Sequence, residues 1–237
     1  EIPLEAAKVG LLGLGTVGGG TATVLLRNAD EIQRRVGRNI EITHAAGLGI
    51  ADQTLLDSSK VKLTEDAFEV VNDPDVDIIV ELIGGYTLAK DLVMKAIENG
   101  KHVVTANKAL IATHGAEIMQ AAMSKGVNVA YEAAVAGGIP IIKALREGLA
   151  ANRIDWIAGI INGTGNFILT EMRDKGRDFE DVLKEAQALG YAEADPTFDI
   201  EGIDAAHKLT ILASLAYGIE LQFDRCYTEG ISKITTE

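Results

Sequence analysis

The stretch "GYAEADPTFDIEGIDAAHKL", Gly190–Leu209, sets five carboxylates (Glu193, Asp195, Asp199, Glu201 and Asp204) ahead of His207 and Lys208, and the residues that follow, "TILASLAYG", are almost wholly apolar. On a helix starting near Glu201, Asp204 and Lys208 are four apart and share a face, within pairing reach. His207 lies about 100° round the helix from Lys208. A lysine taken out of water loses its charge readily, so a carboxylate that orients it sets up a group able to shuttle a proton. Glu193 and Asp199, in the preceding loop, offer acceptors of the kind that a ligand ammonium requires once it leaves water. A structural reading accounts for the same residues. Acids are favoured at a helix N-terminus by its dipole, and a solvated Asp204–Lys208 pair is worth under about 1 kcal/mol. The apolar run beyond Lys208 weighs against a solvated face, but spacing alone leaves both readings open.

A second chemical signature lies near the other end. Gly13-Leu14-Gly15-Thr16-Val17-Gly18 fits G-x-G-x-x-G, after the strand-like "KVGLLGLG" and at the start of a helical pattern from Thr16 to about Asn28. In that context Gly13 permits a tight turn, Gly15 lets backbone approach a pyrophosphate, and Gly18 lets helix and strand pack closely. The helix N-terminus then presents amides and the positive end of its dipole to phosphates. A glycine-rich turn without a ligand is the plain alternative. The acid that holds an adenosine ribose is expected at the end of the second strand, but "AAGLG" ends that strand, Asp52 comes later and no arginine stands nearby for a 2′-phosphate. NAD and NADP both remain open.

Ligands of open α/β sheets bind beyond the carboxyl ends of the strands. "ELIGG" (Glu81–Gly85) and "TANK" (Thr105–Lys108) fall at such ends. Gly84 and Gly85 allow a flat ring close to the backbone, and Thr105, Asn107 and Lys108 stand where cofactor or substrate is reached. "YEAAVAGGIP" places Glu132 before a backbone-rich turn, a combination of carboxylate and carbonyls suited to a hard cation. On spacing alone, a simple turn between domains explains it better.

The elements that must position these residues alternate. Strand-like segments at Lys8–Gly15, Ile40–Gly49, Val76–Gly84, Lys101–Lys108 and Val127–Val135 are separated by helical patterns at Thr16–Asn28, "AFEVVN", Thr87–Gly100 and "GAEIMQAAMSKG". Continuous apolar strands between helices imply a doubly wound parallel sheet of Rossmann type. The alternation stops near "AGGIPIIKAL", so the expected domains are residues 1–135 and 136–237. The second should be α+β. "RIDWIAGIING" (Arg153–Gly163) reads as a strand; "GNFILTEMRDKG", "DFEDVLKEAQALG" and "DAAHKLTILASLAYG" read as helices closed by glycine.

The 237 residues carry a net charge of −13. Such a surface repels phosphate backbones and anionic lipid, so nucleic acid and membrane are poor default partners and any anionic ligand must be held by local donors. Cys226 is the only cysteine, which excludes an intrachain disulfide and fits a reducing cytoplasm. "EIPLEAAKV" lacks a signal pattern, and no apolar run reaches the length of a membrane span.

Several segments together resemble homoserine dehydrogenase: "GLLGLGTVGGG", "DIIVELIGG", "VVTANKALIATHG", "YEAAVAGGIPIIKALREGL", "GIINGTGNFILTEM" and "ALGYAEADPTFDIEGIDAAHKLTILA". The resemblance runs along nearly the whole chain, and the last two segments are the most specific. It implies NAD(P)H-dependent interconversion of L-aspartate 4-semialdehyde and L-homoserine, on the route to threonine and methionine, in a cytoplasmic homodimer. It assigns Lys208 as the acid/base and Asp204 as its orienting partner. Glu193 and Asp199 would bind substrate, Gly163, Thr164 and Tyr191 would line its pocket, and Lys108 would contact cofactor and substrate. Glu132, Val135, Gly137 and Ile139 match a monovalent-cation site, usually sodium, held largely by main-chain oxygens. Family members continue past the position of Glu237, so the second domain is expected to be incomplete and this chain weakly active or inactive alone. Two rival readings are another NAD(P)-dependent dehydrogenase of amino-acid metabolism and a dinucleotide-binding sensor without turnover.

Overall fold

The computed structural model describes residues 4–236; the first three residues of the stretch read for a signal, and Glu237, lie outside the described residues. The chain divides after Ala134 into two compact units.

The first unit runs β1 (Ala7–Leu12), α1 (Thr16–Arg27), α2 (Ala29–Val36), β2 (Ile40–Ala46), β3 (Lys62–Thr64), α3 (Ala67–Val71), β4 (Ile78–Glu81), α4 (Thr87–Glu98), β5 (His102–Thr105), α5 (Lys108–Lys125) and β6 (Val129–Ala130). The strands form one parallel sheet in the order β3-β2-β1-β4-β5-β6. This is the doubly wound α/β fold that the sequence pattern implies. The chain builds outward from β1 to β3 and then crosses to the other side of β1 for β4, so the topological switch lies between β1 and β4. Register sets Leu12 beside Glu81 and Glu81 beside Thr105, which brings the carboxyl ends of β1, β4 and β5 level.

Apolar residues on both faces hold the sheet. Val9, Leu11, Ala45 and Val80 pack with Ala22 of α1 and with Ile50, Leu56 and Val61. Full burial of such a Val, Leu or Ile contributes about 1.5–3 kcal/mol. Gly10 has no room for a side chain, since a Cβ there would stand 2.5 Å from Val70 Cγ1 of α3. Helix boundaries follow local chemistry. Asp66 caps α3 by accepting from the Phe68 amide (2.9 Å), and α5 ends at Gly126 with φ of 65°. α5 starts seven residues earlier than the sequence pattern suggests, because Asn107 caps it.

The second unit contains α6 (Ile141–Lys143), which runs on into a π-type turn, then α7 (Gly163–Lys175), α8 (Phe179–Ala188), α9 (Thr197–Ile200) and α10 (Ile203–Tyr217). Its core is Ile168, Met172, Val182, Ala186 and Ala192 with Phe167, Phe179 and Ile231 against them. The strand expected over Arg153–Gly163 is not formed: residues 153–162 carry no regular structure, and Gly163 begins α7. A strand is defined by its ladder to a neighbour, and among the described residues this unit holds no other strand. Trp156 and Ile160 are accordingly 75% and 77% exposed.

Away from the carboxyl ends, the turn after α3 is a buried polar knot. Asp73 Oδ2 accepts from His44 Nδ1 (2.8 Å) and Lys62 Nζ (3.4 Å), and its Oδ1 from the Asp75 amide (2.9 Å). Lys101, itself buried, donates Nζ to the carbonyls of Asp73 and Val76. Burial pushes the Asp73 carboxyl up, but the Asp75 amide, His44 and Lys62 outweigh it and hold the group below its ordinary value of 3.8. A depressed folded pKa means stability that is present above the ordinary value and lost as pH falls through the lower one. Thermal melts between pH 6 and pH 3 should therefore show an acid-side loss that is shallower in Asp73→Asn, with that variant less stable at pH 6. Parallel curves for the two proteins would place the acid sensitivity elsewhere.

Candidate active site

The glycine loop follows β1 at the switch point. Gly13 has φ of 96°, and a Cβ on it would meet the Leu82 carbonyl oxygen at 2.7 Å, so the loops after β1 and β4 touch through bare backbone. Gly18 admits no side chain: its Cβ would sit 1.9 Å from the Gly13 carbonyl oxygen. Gly15 is the opposite case. It is the N-cap of α1, no side chain caps the helix there, and a Cβ on Gly15 would meet nothing within 4 Å. The approach to the first amides of α1 is open where a pyrophosphate is expected. Leu14 packs inward against the sheet core, while Thr16 and Val17 are exposed. The end of β2 is Ala46–Gly47, and Asp52 lies in a following 3₁₀ turn, exposed.

Glu81 organises the neighbouring strand ends. It is 0% exposed, and its Oε1 accepts from the amides of Ile83 (3.0 Å) and Gly84 (3.1 Å). Its Oε2 accepts from Thr105 Oγ1 (2.7 Å), which in turn accepts from the Asn107 amide (3.0 Å). Asn107 Nδ2 donates to the Gly85 carbonyl (2.6 Å), and its Oδ1 caps α5 through the Leu110 amide (3.0 Å). Thr105 is thus a buried link, Gly84 (φ 84°) is held by the carboxylate, and Lys108 opens α5 half-buried. Sequence reasoning gave Glu81 no role; an acid closing an apolar strand was the available signal.

In the second unit the expected Asp204–Lys208 pair forms on α10, with Nζ 2.7 Å from Oδ2 and the two side chains only 10% and 19% exposed. It is not a solvated surface bridge. Lys208 Nζ also donates to the Ile161 carbonyl (2.7 Å). Asn162, which sequence reasoning missed, donates Nδ2 to Asp199 Oδ1 (2.7 Å) and to Asp204 Oδ2 (2.9 Å). Its Oδ1 accepts from the Gly165 amide (2.6 Å) as the cap of α7. The only sequence signal was a cap-type residue before a helix.

Asp199 is therefore brought to the lysine cluster. Glu193 is not: it is exposed, and no hydrogen bond or ion pair joins its carboxylate to the described residues. Its loop is tied to α8 where Gln187 donates to the Glu193 carbonyl (3.1 Å). Gly163 opens α7 with free space at its Cα, and Thr164 Oγ1 donates to the Tyr191 carbonyl (2.6 Å). The Tyr191 ring stands edge-on to Phe167 at 5.2 Å. The remaining acids have structural tasks. Asp195 accepts from the Thr197 amide and hydroxyl, and Glu201 accepts from Ser232 Oγ (2.8 Å). His207 is buried, 4.4 Å from the Phe223 ring centre.

A cavity of about 570 Å³ runs along the Ala205–Leu209–Leu212 side of α10 and includes Ile161, but Asp204 and Lys208 do not line it. Glu132 begins a 3₁₀ turn that closes the first unit. Val135, Gly137 and Ile139 begin the second, where Ala136 (φ 53°) and Gly138 (φ 79°) are both left-handed. The Ile139 amide donates to the Ala136 carbonyl (2.9 Å). No group of three or more His, Cys, Asp or Glu residues suited to a metal occurs among the described residues.

A parallel sheet in this strand order, with an open glycine loop at its switch point, and a second unit bearing a buried lysine–carboxylate pair define the dinucleotide-fold dehydrogenase class. Within it, the family model described as "Homoserine dehydrogenase, NAD binding domain" matches residues 13–132, and that described as "Homoserine dehydrogenase" matches residues 140–237. The chain belongs to the homoserine dehydrogenase family. It is 69% identical to homoserine dehydrogenase of Pseudomonas aeruginosa over 98% of this chain and 53% of that protein. With the Bacillus subtilis enzyme the identity is 44%, over 99% and 54%. A solved homoserine dehydrogenase from Thiobacillus denitrificans superposes with a TM-score of 0.92 at 68% identity, covering 98% of this chain and 54% of that one. A hyperthermophilic archaeal homoserine dehydrogenase solved in complex with NADPH gives 0.82 at 26% identity, over 98% and 76%. The chain spans about half the length of the curated relatives it matches. No helix among the described residues is long and apolar enough to cross a membrane.

Two loop glycines give separable outcomes. Gly18→Ala must displace backbone at Gly13 and should lower stability by about 1–3 kcal/mol. Gly15→Ala should leave the melting temperature unchanged yet weaken NADH or NADPH binding at least tenfold by fluorescence titration. Unaltered affinity in Gly15→Ala would remove that position from the phosphate path.

Proposed function

We propose that this chain carries the catalytic machinery for reversible, NAD(P)H-dependent reduction of L-aspartate 4-semialdehyde to L-homoserine, in threonine and methionine biosynthesis. The observation that carries the reading is the state of Lys208. An ammonium has three N–H donors, and two of them are engaged by Asp204 and the Ile161 carbonyl. Among the described residues the third has no acceptor and is available to a substrate oxygen.

The glycine loop, Gly13 to Gly18, would hold the pyrophosphate, with Gly84, Thr105 and Lys108 beyond the neighbouring strand ends. A nicotinamide dinucleotide, when bound, supplies or accepts the hydride. Lys208 donates a proton to the aldehyde oxygen as that oxygen becomes the hydroxyl, and takes it back in the reverse direction. Asp204 holds Lys208 in place and balances its charge. Asp199 accepts only from Asn162 among the described residues, so it retains acceptors for the substrate ammonium. Glu193 is the second acceptor in this reading, and its exposed position leaves it open to ligand. Gly163, Thr164 and Tyr191 line the substrate side. Main-chain oxygens of Val135, Gly137 and Ile139, with Glu132, are the donors for a monovalent cation such as sodium; the two left-handed residues between them support that backbone-rich reading. A homodimer in the cytoplasm completes the proposal.

Homoserine oxidation, followed with NAD and with NADP separately on a chain extended past Glu237, tests it. Lys208→Ala should lower kcat by at least a hundredfold while cofactor affinity holds; a kcat close to wild type removes Lys208 from proton transfer. Glu193→Ala should chiefly raise KM for homoserine, and an unchanged KM would release it from substrate binding.

A further inference from the structure

We propose that Asn162 is the positioning residue of the lysine site, the group that holds Asp199 and Asp204 in their working places and keeps Asp204 against Lys208. The inference rests on the function proposed above and adds a residue to it.

The amide orientation follows from its partners. The Gly165 N–H only donates, so it must face Oδ1; the two carboxylates only accept, so they must face Nδ2. Both amide hydrogens are thereby committed, one to each acid. Asp204 Oδ2 receives two donors, Asn162 Nδ2 at 2.9 Å and Lys208 Nζ at 2.7 Å. The preceding residue acts on the other member of the pair, since the Ile161 carbonyl accepts from Lys208. One dipeptide therefore grips both ends of the ion pair. Its own place is set by the start of α7, which Asn162 caps. The same contact links two elements: Asp199 is on α9 and Asp204 on α10, and Asn162 donates to both. Two carboxylates brought together repel unless donors stand between them, and Asn162 is the donor that stands there.

No isosteric replacement serves. Aspartate keeps the shape and the cap but exchanges two donors for acceptors beside two other carboxylates. Serine keeps the cap and lacks the two N–H groups. In the chain extended past Glu237, Asn162→Ser should retain the wild-type melting temperature within a few degrees, and Asn162→Asp, which adds a third carboxylate there, should melt lower while remaining folded. Both should lose at least tenfold in kcat and show a raised KM for homoserine, with KM for the dinucleotide unchanged, and Asp should lose more than Ser. If both variants keep kcat and KM within twofold of wild type while Asn162→Ala alone fails, Asn162 is only a helix cap and the proposal is overturned. A second measurement does not depend on those variants folding or on turnover. With ¹⁵N-asparagine labelling, the two side-chain amide protons of Asn162 should be shifted and slow to exchange, and Asp199→Asn and Asp204→Asn should each alter a different one of them. A rapidly exchanging, unshifted pair would sink the inference. Absence of homoserine turnover in the wild-type chain would instead count against the proposed function, and the amide signals would still decide the role of Asn162.

Discussion

A carboxylate removed from water must be met by donors, and this constraint organises both units. Glu81 is wholly buried at the end of β4, where it gathers two amides and a hydroxyl. Asp204 is buried near the start of α10, where it gathers an amide NH₂ and an ammonium. The cost of burying an unpaired charge is several kcal/mol, so the loops that bring these donors are not free to wander. The Ile83–Gly85 loop, the Thr105–Lys108 turn and the Ile161–Asn162 dipeptide each take their conformation from the acid they serve. In each case the satisfied carboxylate lies beside the groups expected to meet a ligand. The polar knot around Asp73 obeys the same rule at a place where no chemistry is expected.

The glycines divide along a related line. Gly10, Gly13 and Gly18 are glycine because something already occupies the space: a valine methyl, a carbonyl of the β4 loop, a carbonyl of the same turn. Gly15 and Gly163 are glycine where nothing is near. Crowded glycines let elements pack; uncrowded ones at element starts, with ordinary negative φ, have no need within the protein for the missing side chain. That contrast adds to the motif's case for a ligand at Gly15, since the motif assigns phosphate approach to Gly15 and close packing to Gly18.

Much of the sheet could be read from the sequence because buried parallel strands are continuous apolar runs, and each lies between helices with their own period. What escaped reading lacked that signature. α2 has no buried residue and is held by Glu31 pairing with Arg34 and Arg35 and by Gly37 at its end. β3 is three residues long. The segment 153–162 has the composition of a strand, and composition is silent on whether a neighbour exists to pair with it. The site shows the same division. Asp204 and Lys208 were found together because a helix makes i and i+4 adjacent. Asn162 was not, because its acids are 37 and 42 residues away. Glu81 and Thr105 meet only through strand register, 24 residues apart.

The lysine cluster is assembled inside one unit and the glycine loop inside the other. The hydrogen bonds that tie Lys208 to Asp204 and Ile161, and Asn162 to Asp199, Asp204 and Gly165, all lie within residues 161–208. The contacts that shape the glycine loop come from the first unit: the Leu82–Ile83 backbone against Gly13, the Ala46 carbonyl that accepts from the Gly13 amide, and the Gly13 carbonyl against Gly18. Each half is thus set before any ligand arrives, and neither has to be ordered at the moment of reaction. On that argument, losing a donor such as the Asn162 amide disturbs the lysine cluster and leaves the glycine loop as it is, because the group that loses its place belongs wholly to the second unit.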